Sequence, residues 1–184
     1  MYQIETDRLR LRPFREEDAP EHHRVIYGDA EVMRYLPGGV PRTLEQTQEL
    51  LARFARHWAD HGFGAWAVLD KQKDILMGQC GLQTLPGTRR VEVFYALGAA
   101  YWNQGYTTEA ARAALRFGFE EAGLPEVTAL AVPENVASRR VMVKVGMEYR
   151  GIVTDYYNTR LACYLISREA FTYGAGLYER SRVG

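Results

Sequence analysis

The stretch Tyr101–Ala114, YWNQGYTTEAARAA, decides the reading of this chain. An alternating, strand-like segment feeds a short loop holding Gly105, and the loop opens directly into an alanine-rich helix. A helix entered this way leaves its first backbone N–H groups without intrahelical partners, all pointing one way at the positive end of the helix dipole. That end is a ready site for an anion such as a pyrophosphate. The pattern alone is common, because many helices start on a loop with a threonine cap, here Thr107 or Thr108, and bind nothing.

Upstream, Arg90–Leu97 alternates, with Val91, Val93, Tyr95 and Leu97 on one side and Glu92, Phe94 and Ala96 on the other. Before it, Trp66–Asp70 and Ile75–Leu82 read as a hairpin around the polar KQKD turn. Leu44–His61 is a helix, capped by Thr43 and ended by Gly62, with Leu50, Leu51, Phe54 and Trp58 at helical spacing. Ala30–Tyr35 is a short helical piece stopped by Pro37–Gly39, and Asp18 caps a helix running to about Tyr27. Leu9–Arg15 is the first strand.

Downstream, the helix after Gly105 is expected over Thr108–Ala122, with Ala111, Leu115, Gly118, Phe119 and Ala122 inward and Gly123 at its end. Val127–Val132 is a strand, and Ala137–Val145 a short helix with Val141 and Val145 inward. Tyr149–Asp155 and Arg160–Ile166 are final strands joined by a turn around Asn158. The tail after Arg168 reads as a short helix followed by disorder. Antiparallel strands followed by a β-α-β-α-β-β run make an α+β sheet domain. One domain is expected over residues 1–184, with its core at about 6–167 and a tail at 168–184.

The 184 residues are 47% hydrophobic and 25% charged, an ordinary globular composition. Lys plus Arg balances Asp plus Glu at 23 each, so the basic excess of a nucleic-acid binder is missing. No N-terminal apolar run fits a signal peptide, and none is long enough to span a bilayer. Cys80 and Cys163 each lie in an apolar strand-like segment and read as free thiols in a reducing compartment. The expectation is a cytoplasmic protein with no nucleic-acid or membrane partner.

Read with three other segments, the Tyr101–Ala114 stretch resembles the acyl-CoA-binding motif of the GNAT N-acetyltransferase superfamily, roughly Q/R-x-x-G-x-G/A and then a helix. Gly105 holds the central glycine, while Trp102 stands at the first position and Thr107 at the last. The wording YWxxGYxTEA is typical of the branch containing the ribosomal-protein N-terminal acetyltransferases. Thr6–Ala19 (TDRLRLRPFREEDA) resembles that branch's opening strand and helix cap, and Met77–Leu82 (MGQCGL) its central hairpin strand. Asn135–Met147 (NVASRRVMVKVGM) resembles its second cofactor motif.

The resemblance implies a GNAT fold, a mostly antiparallel, splayed sheet flanked by helices. It implies an enzyme that moves an acetyl group from acetyl-CoA to a primary amine, either a protein N-terminal amine or a small molecule, without a metal. A homodimer is left open. By the same resemblance, the backbone amides of Gln104, Gly105, Tyr106, Thr107 and Thr108 hold the cofactor pyrophosphate. Main-chain groups of Tyr95 and Leu97, at the splay between the Arg90–Leu97 and Val127–Val132 strands, pair with the pantetheine arm like an added strand. Asn135 falls near the thioester end. Arg140 and Lys144, one helical turn apart, either meet the nucleotide phosphates or form a solvated basic face.

Amine acetylation needs a proton acceptor for the ammonium and gains from a proton donor to the thiolate. Glu92, thirteen residues before Gly105, is the candidate base. Desolvation on a partly buried strand would raise its pKa. The competing reading pairs it with Arg89 or Arg90. Met142 stands where many members carry a tyrosine acid, and a thioether cannot donate a proton. Ser138, one turn earlier, replaces it as the candidate donor, with Tyr156 and Tyr157 behind it, unless its hydroxyl only supports the helix start.

His57 and His61 share a helix face, but Trp58 stands beside His57 where a metalloprotease has glutamate, and no third ligand follows at zinc spacing. His22 and His23 are adjacent, a poor ligand pair, and are placed at the acceptor mouth. Two other classes compete with the enzyme. One is an acyl-CoA-binding GNAT-fold regulatory module that has lost catalysis, kept open by Trp102, Thr107 and Met142. The other is a dinucleotide oxidoreductase, against which NQGYTTEA lacks the three-glycine fingerprint.

Overall fold

The computed structural model describes residues 1–183. Strands β1 (Tyr2–Glu5) and β2 (Leu9–Pro13) form an N-terminal hairpin. Leu9, Leu11 and Pro13 are buried while the arginines between them alternate outward. Helix α1 (Ala19–His22) continues into a wider π turn over His23–Tyr27. Asp18 stands at its N-cap position, but the carboxylate caps no amide of α1: it accepts from the Arg15 amide and pairs with Arg12 at 2.7 Å, tying the helix start to β2. Asp29 caps the short α2 (Ala30–Met33) through two backbone amides.

Helix α3 (Leu44–His61) has the bounds its sequence predicts. Thr43 and Gln46 cap each other reciprocally, and Gly62 ends the helix at φ 74°, a left-handed conformation that glycine adopts without a Cβ penalty. Strands β3 (Ala65–Asp70), β4 (Leu76–Thr84) and β5 (Val91–Leu97) follow as an antiparallel meander. Helix α4 (Tyr106–Glu120) starts two residues earlier than the sequence reading, because Gly105 itself is the N-cap. Strand β6 (Glu126–Ala131), helix α5 (Val136–Lys144), and strands β7 (Glu148–Val153) and β8 (Leu161–Ser167) complete the order predicted from sequence.

The tail departs from expectation. It forms no helix; after Phe171 it crosses α4 and ends in strand β9 (Glu179–Arg182), which pairs antiparallel with β1. Among the described residues one nine-stranded sheet results, in the order β7-β8-β6-β5-β4-β3-β2-β1-β9. Every neighbouring pair is antiparallel except β5 and β6. Helices α4 and α5 cover one face through Leu115, Phe117, Met142 and Val145, packed on Leu11, Trp66, Val93 and Ala129. Val145 is buried in this core and Val141 packs against it half-buried, and Met142 beside them is enclosed as well. Helices α1 to α3 cover the other face, where Ile26, Leu51 and Phe54 meet Ala65, Phe94 and Ala96.

Candidate active site

Strands β5 and β6 are parallel and meet at a single position, Glu92 opposite Thr128. Beyond it they diverge. The direction of the β5 backbone there follows from its other neighbour. The Gly98 amide donates to the Met77 carbonyl at 2.9 Å, and an antiparallel ladder alternates hydrogen-bonded with non-bonded pairs. The pairs of Ala96 with Gln79 and Phe94 with Gly81 are therefore the bonded ones. Main-chain N–H and C=O groups of Tyr95 and Leu97 point the opposite way, into the opening toward β6. One is already used: the Trp102 indole donates to the Leu97 carbonyl at 2.7 Å, which ties the loop before α4 to the end of β5.

The opening leads into a cavity of about 370 Å³ that passes through the sheet between its two helical layers. Tyr35 and Leu36 line one end; Gly105, Thr107, Thr108, Ser138 and Arg140 line the other. Asn103 (φ 60°) and Gly105 (φ 83°) are both left-handed, so successive amides of the loop turn inward like a nest. Among the described residues, the amides of Gln104 to Thr108 find no protein acceptor. A Cβ on Gly105 would meet only Arg8 Nη2, at 3.4 Å, so the floor of this concavity is bare backbone. Arg140 and Lys144 flank it from α5 without an ion-pair partner among the described residues. The combination fits a phosphate-bearing group: amides at a positive helix end, two free cations and no side chain in the way.

The loop is braced from behind. Glu109 in the first turn of α4 accepts from the Thr6 hydroxyl, the Arg8 amide and Arg8 Nε, while Arg8 Nη1 donates to the Gln104 carbonyl. The Arg8 guanidinium also lies 4.4 Å from the Tyr106 ring centre. Nothing in the sequence pattern singled out Arg8 or Glu109, because their contact is made only by the fold.

Asn135 caps α5, its side-chain oxygen accepting from the Ser138 amide at 3.0 Å. The Ser138 hydroxyl stands 3.3 Å from the Tyr95 hydroxyl, which in turn donates to the Ser138 carbonyl at 3.1 Å. Burial pushes the Tyr95 phenol well up, so it stays protonated at neutral pH. The resemblance implies only a main-chain role for Tyr95; its side chain places a second hydroxyl at the cavity wall beside Ser138.

Glu92 lies on the opposite face of β5 from Tyr95, the face shared with Phe94 and Ala96. It is 4% exposed, and burial pushes its carboxyl above the usual range. Neither Arg89 nor Arg90 pairs with it. Its partners are Gln83 Nε2, at 2.6 Å, and the Tyr157 hydroxyl. Tyr157 is thus placed on Glu92 rather than at the Ser138 end, and Tyr156 is buried against Leu85 and Leu161. His22 is fully enclosed between Phe14 and Tyr27 and lines no mouth. Both nitrogens of His57 are engaged with backbone, at the Phe63 carbonyl and the Thr84 amide. Cys80 and Cys163 are free, buried thiols. Among the described residues no helix is long and apolar enough to cross a membrane.

Comparison with known proteins agrees with this architecture. The family model described as Acetyltransferase (GNAT) domain matches residues 8–148. The Bacillus subtilis (strain 168) protein YkkB is 34% identical over 161 residues, covering 86% of this chain and 92% of its own. A solved acetyltransferase of the GNAT family from Bacillus anthracis superposes with a TM-score of 0.78 at 30% identity, covering 91% of this chain and 99% of that one. Mycobacterium smegmatis RimJ, solved in complex with CoA-disulfide, shares the fold at a TM-score of 0.76 and 21% identity, over 91% of this chain and 88% of its own. A family match over most of the chain, joined to a splayed sheet opening onto the start of a helix, leads to one conclusion: the chain belongs to the GNAT acetyltransferases.

Proposed function

We propose that this acetyltransferase transfers the acetyl group of acetyl-CoA to a primary amine, on a protein N-terminus or a small molecule, within a single catalytic domain of the cytoplasm. The observation that carries the reading is the continuity of the cavity. The main-chain groups of Tyr95 and the amide of Leu97, which face away from β4, run into the bare amides of Gln104, Gly105, Tyr106, Thr107 and Thr108. An extended amide-bearing arm ending in phosphates matches that sequence of groups, like a strand added to β5. In acetyl-CoA such an arm carries a thioester, an acyl carbon with a good leaving group.

Each residue then has a task. Arg140 and Lys144 offset phosphate charge, and Asn135 holds α5 so that Ser138 faces the sulfur end. Ser138 and Tyr95 supply hydroxyl protons where the thiolate forms. Ala96, where the cavity crosses the sheet, is four residues from Glu92 on one strand face, about 13 Å away. The acceptor occupies the space between, along Phe94, and its proton reaches Glu92 through water.

The test has two parts. Acetyl-CoA at a hundred times its Kd should stabilise the fold by about 2.7 kcal/mol, seen as a rise in Tm. Gly105→Asp, which puts a carboxylate among the loop amides, should abolish that rise. Release of free coenzyme A over a panel of amines and N-terminal peptides then identifies the acceptor; no release with any amine, despite tight binding, would favour a regulatory module.

A further inference from the structure

The turn between β7 and β8 has an unusual build. Tyr157 (φ 55°) and Asn158 (φ 50°) are both left-handed. Asparagine tolerates that region, but an aromatic residue there is an outlier that the surroundings must enforce. Tyr156, buried next to it, anchors the turn. The result is that the Tyr157 ring reaches back across the sheet to a residue 65 positions away and donates its hydroxyl proton to Glu92 Oε1. Gln83 Nε2 donates to the same oxygen at 2.6 Å and to the Tyr157 hydroxyl at 3.1 Å, closing a triangle. Among the described residues Oε2 accepts no hydrogen bond, and it is not among the enclosed unpaired atoms, so it keeps contact with solvent.

We propose that Tyr157 is the positioning residue of the base: with Gln83 it pins Oε1 of Glu92, turning the free lone pairs of Oε2 toward the acceptor amine. The proposal rests on the reading of Glu92 as base. In the step it serves, an N–H bond of the acceptor ammonium breaks and its proton passes through water to Oε2 and on to solvent. The freed nitrogen pair forms the bond to the acyl carbon as the carbon–sulfur bond breaks. A second amine proton replaces the one that sulfur takes from the Ser138 and Tyr95 hydroxyls.

The groups that directly neighbour Glu92 are uncharged: β4 contributes Gln83, β6 Thr128 and the hairpin Tyr157. Helix α3 brings Arg53 to bear on the Tyr157 hydroxyl, while His57 of that helix is committed to backbone. Burial drives the carboxyl up, and the two donors oppose it. Their removal therefore has a sign that a purely structural contact would not produce.

The experiment is a pH profile of kcat/KM with acetyl-CoA and the best amine of the panel, for wild type, Tyr157→Phe, Gln83→Leu and Glu92→Gln. Tyr157→Phe keeps ring and backbone, so the acid limb should move up by about one pH unit, with acetyl-CoA affinity unmoved. Gln83→Leu should shift it the same way and carries the test alone if Tyr157→Phe does not fold. Limbs unmoved in both folded variants, with Glu92→Gln slow, overturn the positioning role only. A Glu92→Gln enzyme as fast as wild type, with an unmoved limb, overturns the base reading beneath it.

Discussion

Arg8 and Glu109, 101 residues apart, close an ion pair at 2.6 Å across the start of α4. The arginine is nearly half exposed, and exposed pairs contribute only about 0–1 kcal/mol to stability. The geometry assigns the contact a different importance. Glu109 holds the β1–β2 turn and Arg8 holds the Gln104 carbonyl, so the pair fixes the loop whose amides face the cavity. Arg8→Ala should therefore leave Tm within a few degrees of wild type while raising the acetyl-CoA Kd about tenfold, roughly 1.4 kcal/mol. Calorimetric titration beside a melting curve checks both; a large fall in Tm with unchanged affinity would reverse the assignment.

At Gly78 the backbone of β5 leaves no room on β4 for a side chain. A Cβ there would lie 2.2 Å from the Ala96 carbonyl oxygen and 2.8 Å from the Leu97 Cα, both backbone, with φ at 152°. Backbone cannot step aside as a side-chain tip can. Gly78→Ala should lose on the order of 4 kcal/mol or fail to fold, measured by urea denaturation. A Gly87→Ala control, where a Cβ would meet nothing, should cost far less.

Ser138 and Tyr95 test the donor side of the reaction. If their paired hydroxyls protonate the departing sulfur, Ser138→Ala and Tyr95→Phe should each lower kcat by about tenfold to a hundredfold. Acetyl-CoA affinity, read from the thermal shift, should barely change. Equal losses in turnover and affinity for Ser138→Ala would reduce the hydroxyl to support for the first turn of α5.

His22 makes stability depend on pH. Burial pushes its imidazole down to about 3, and neither ring nitrogen completes a hydrogen bond, although Gln79 approaches the ring. The unfolded chain, with an ordinary histidine pKa near 6.5, binds this proton more readily than the folded one. Stability is then lost as pH falls below about 6.5 and goes on being lost until about pH 3. Glu92 acts with the opposite sign above the ordinary carboxylate range, since its raised pKa makes the fold hold its proton longer. His22→Phe, packed between Phe14 and Tyr27, should flatten the fall in Tm between pH 6.5 and 5. A variant with the wild-type slope would place the dependence elsewhere.

Strong local signals were legible in the sequence. The Thr43–Gln46 capping box and Gly62 gave α3 its bounds, and the alternation of β5 assigned Glu92 and Tyr95 to opposite faces correctly. Strands β1 and β9, YQIE and ERSR, escaped because each is four residues long and the two pair with each other from opposite ends of the chain. Periodicity places Val141 and Val145 of α5 inward, as they are, but not the burial of Met142 beside them, which only the packing of α5 on the sheet produces. The Glu92–Gln83–Tyr157 triangle was invisible for a stronger reason: it joins β4, β5 and a distant turn, and only strand register brings them together.

The lone pairing of Glu92 with Thr128 divides the sheet mechanically. Six strands, β9 and β1 to β5, lie on one side of that seam and β6 to β8 on the other, with α4 as the splint beneath. Joined by one bridge pair and the core beneath, the two slabs should open as separate units in the bare protein, each exposing its amides to solvent exchange at its own rate. An extended ligand lodged in the seam stitches them together. Amide protons in the middle of β8, far from any contact with that ligand, should then exchange only when the whole molecule unfolds.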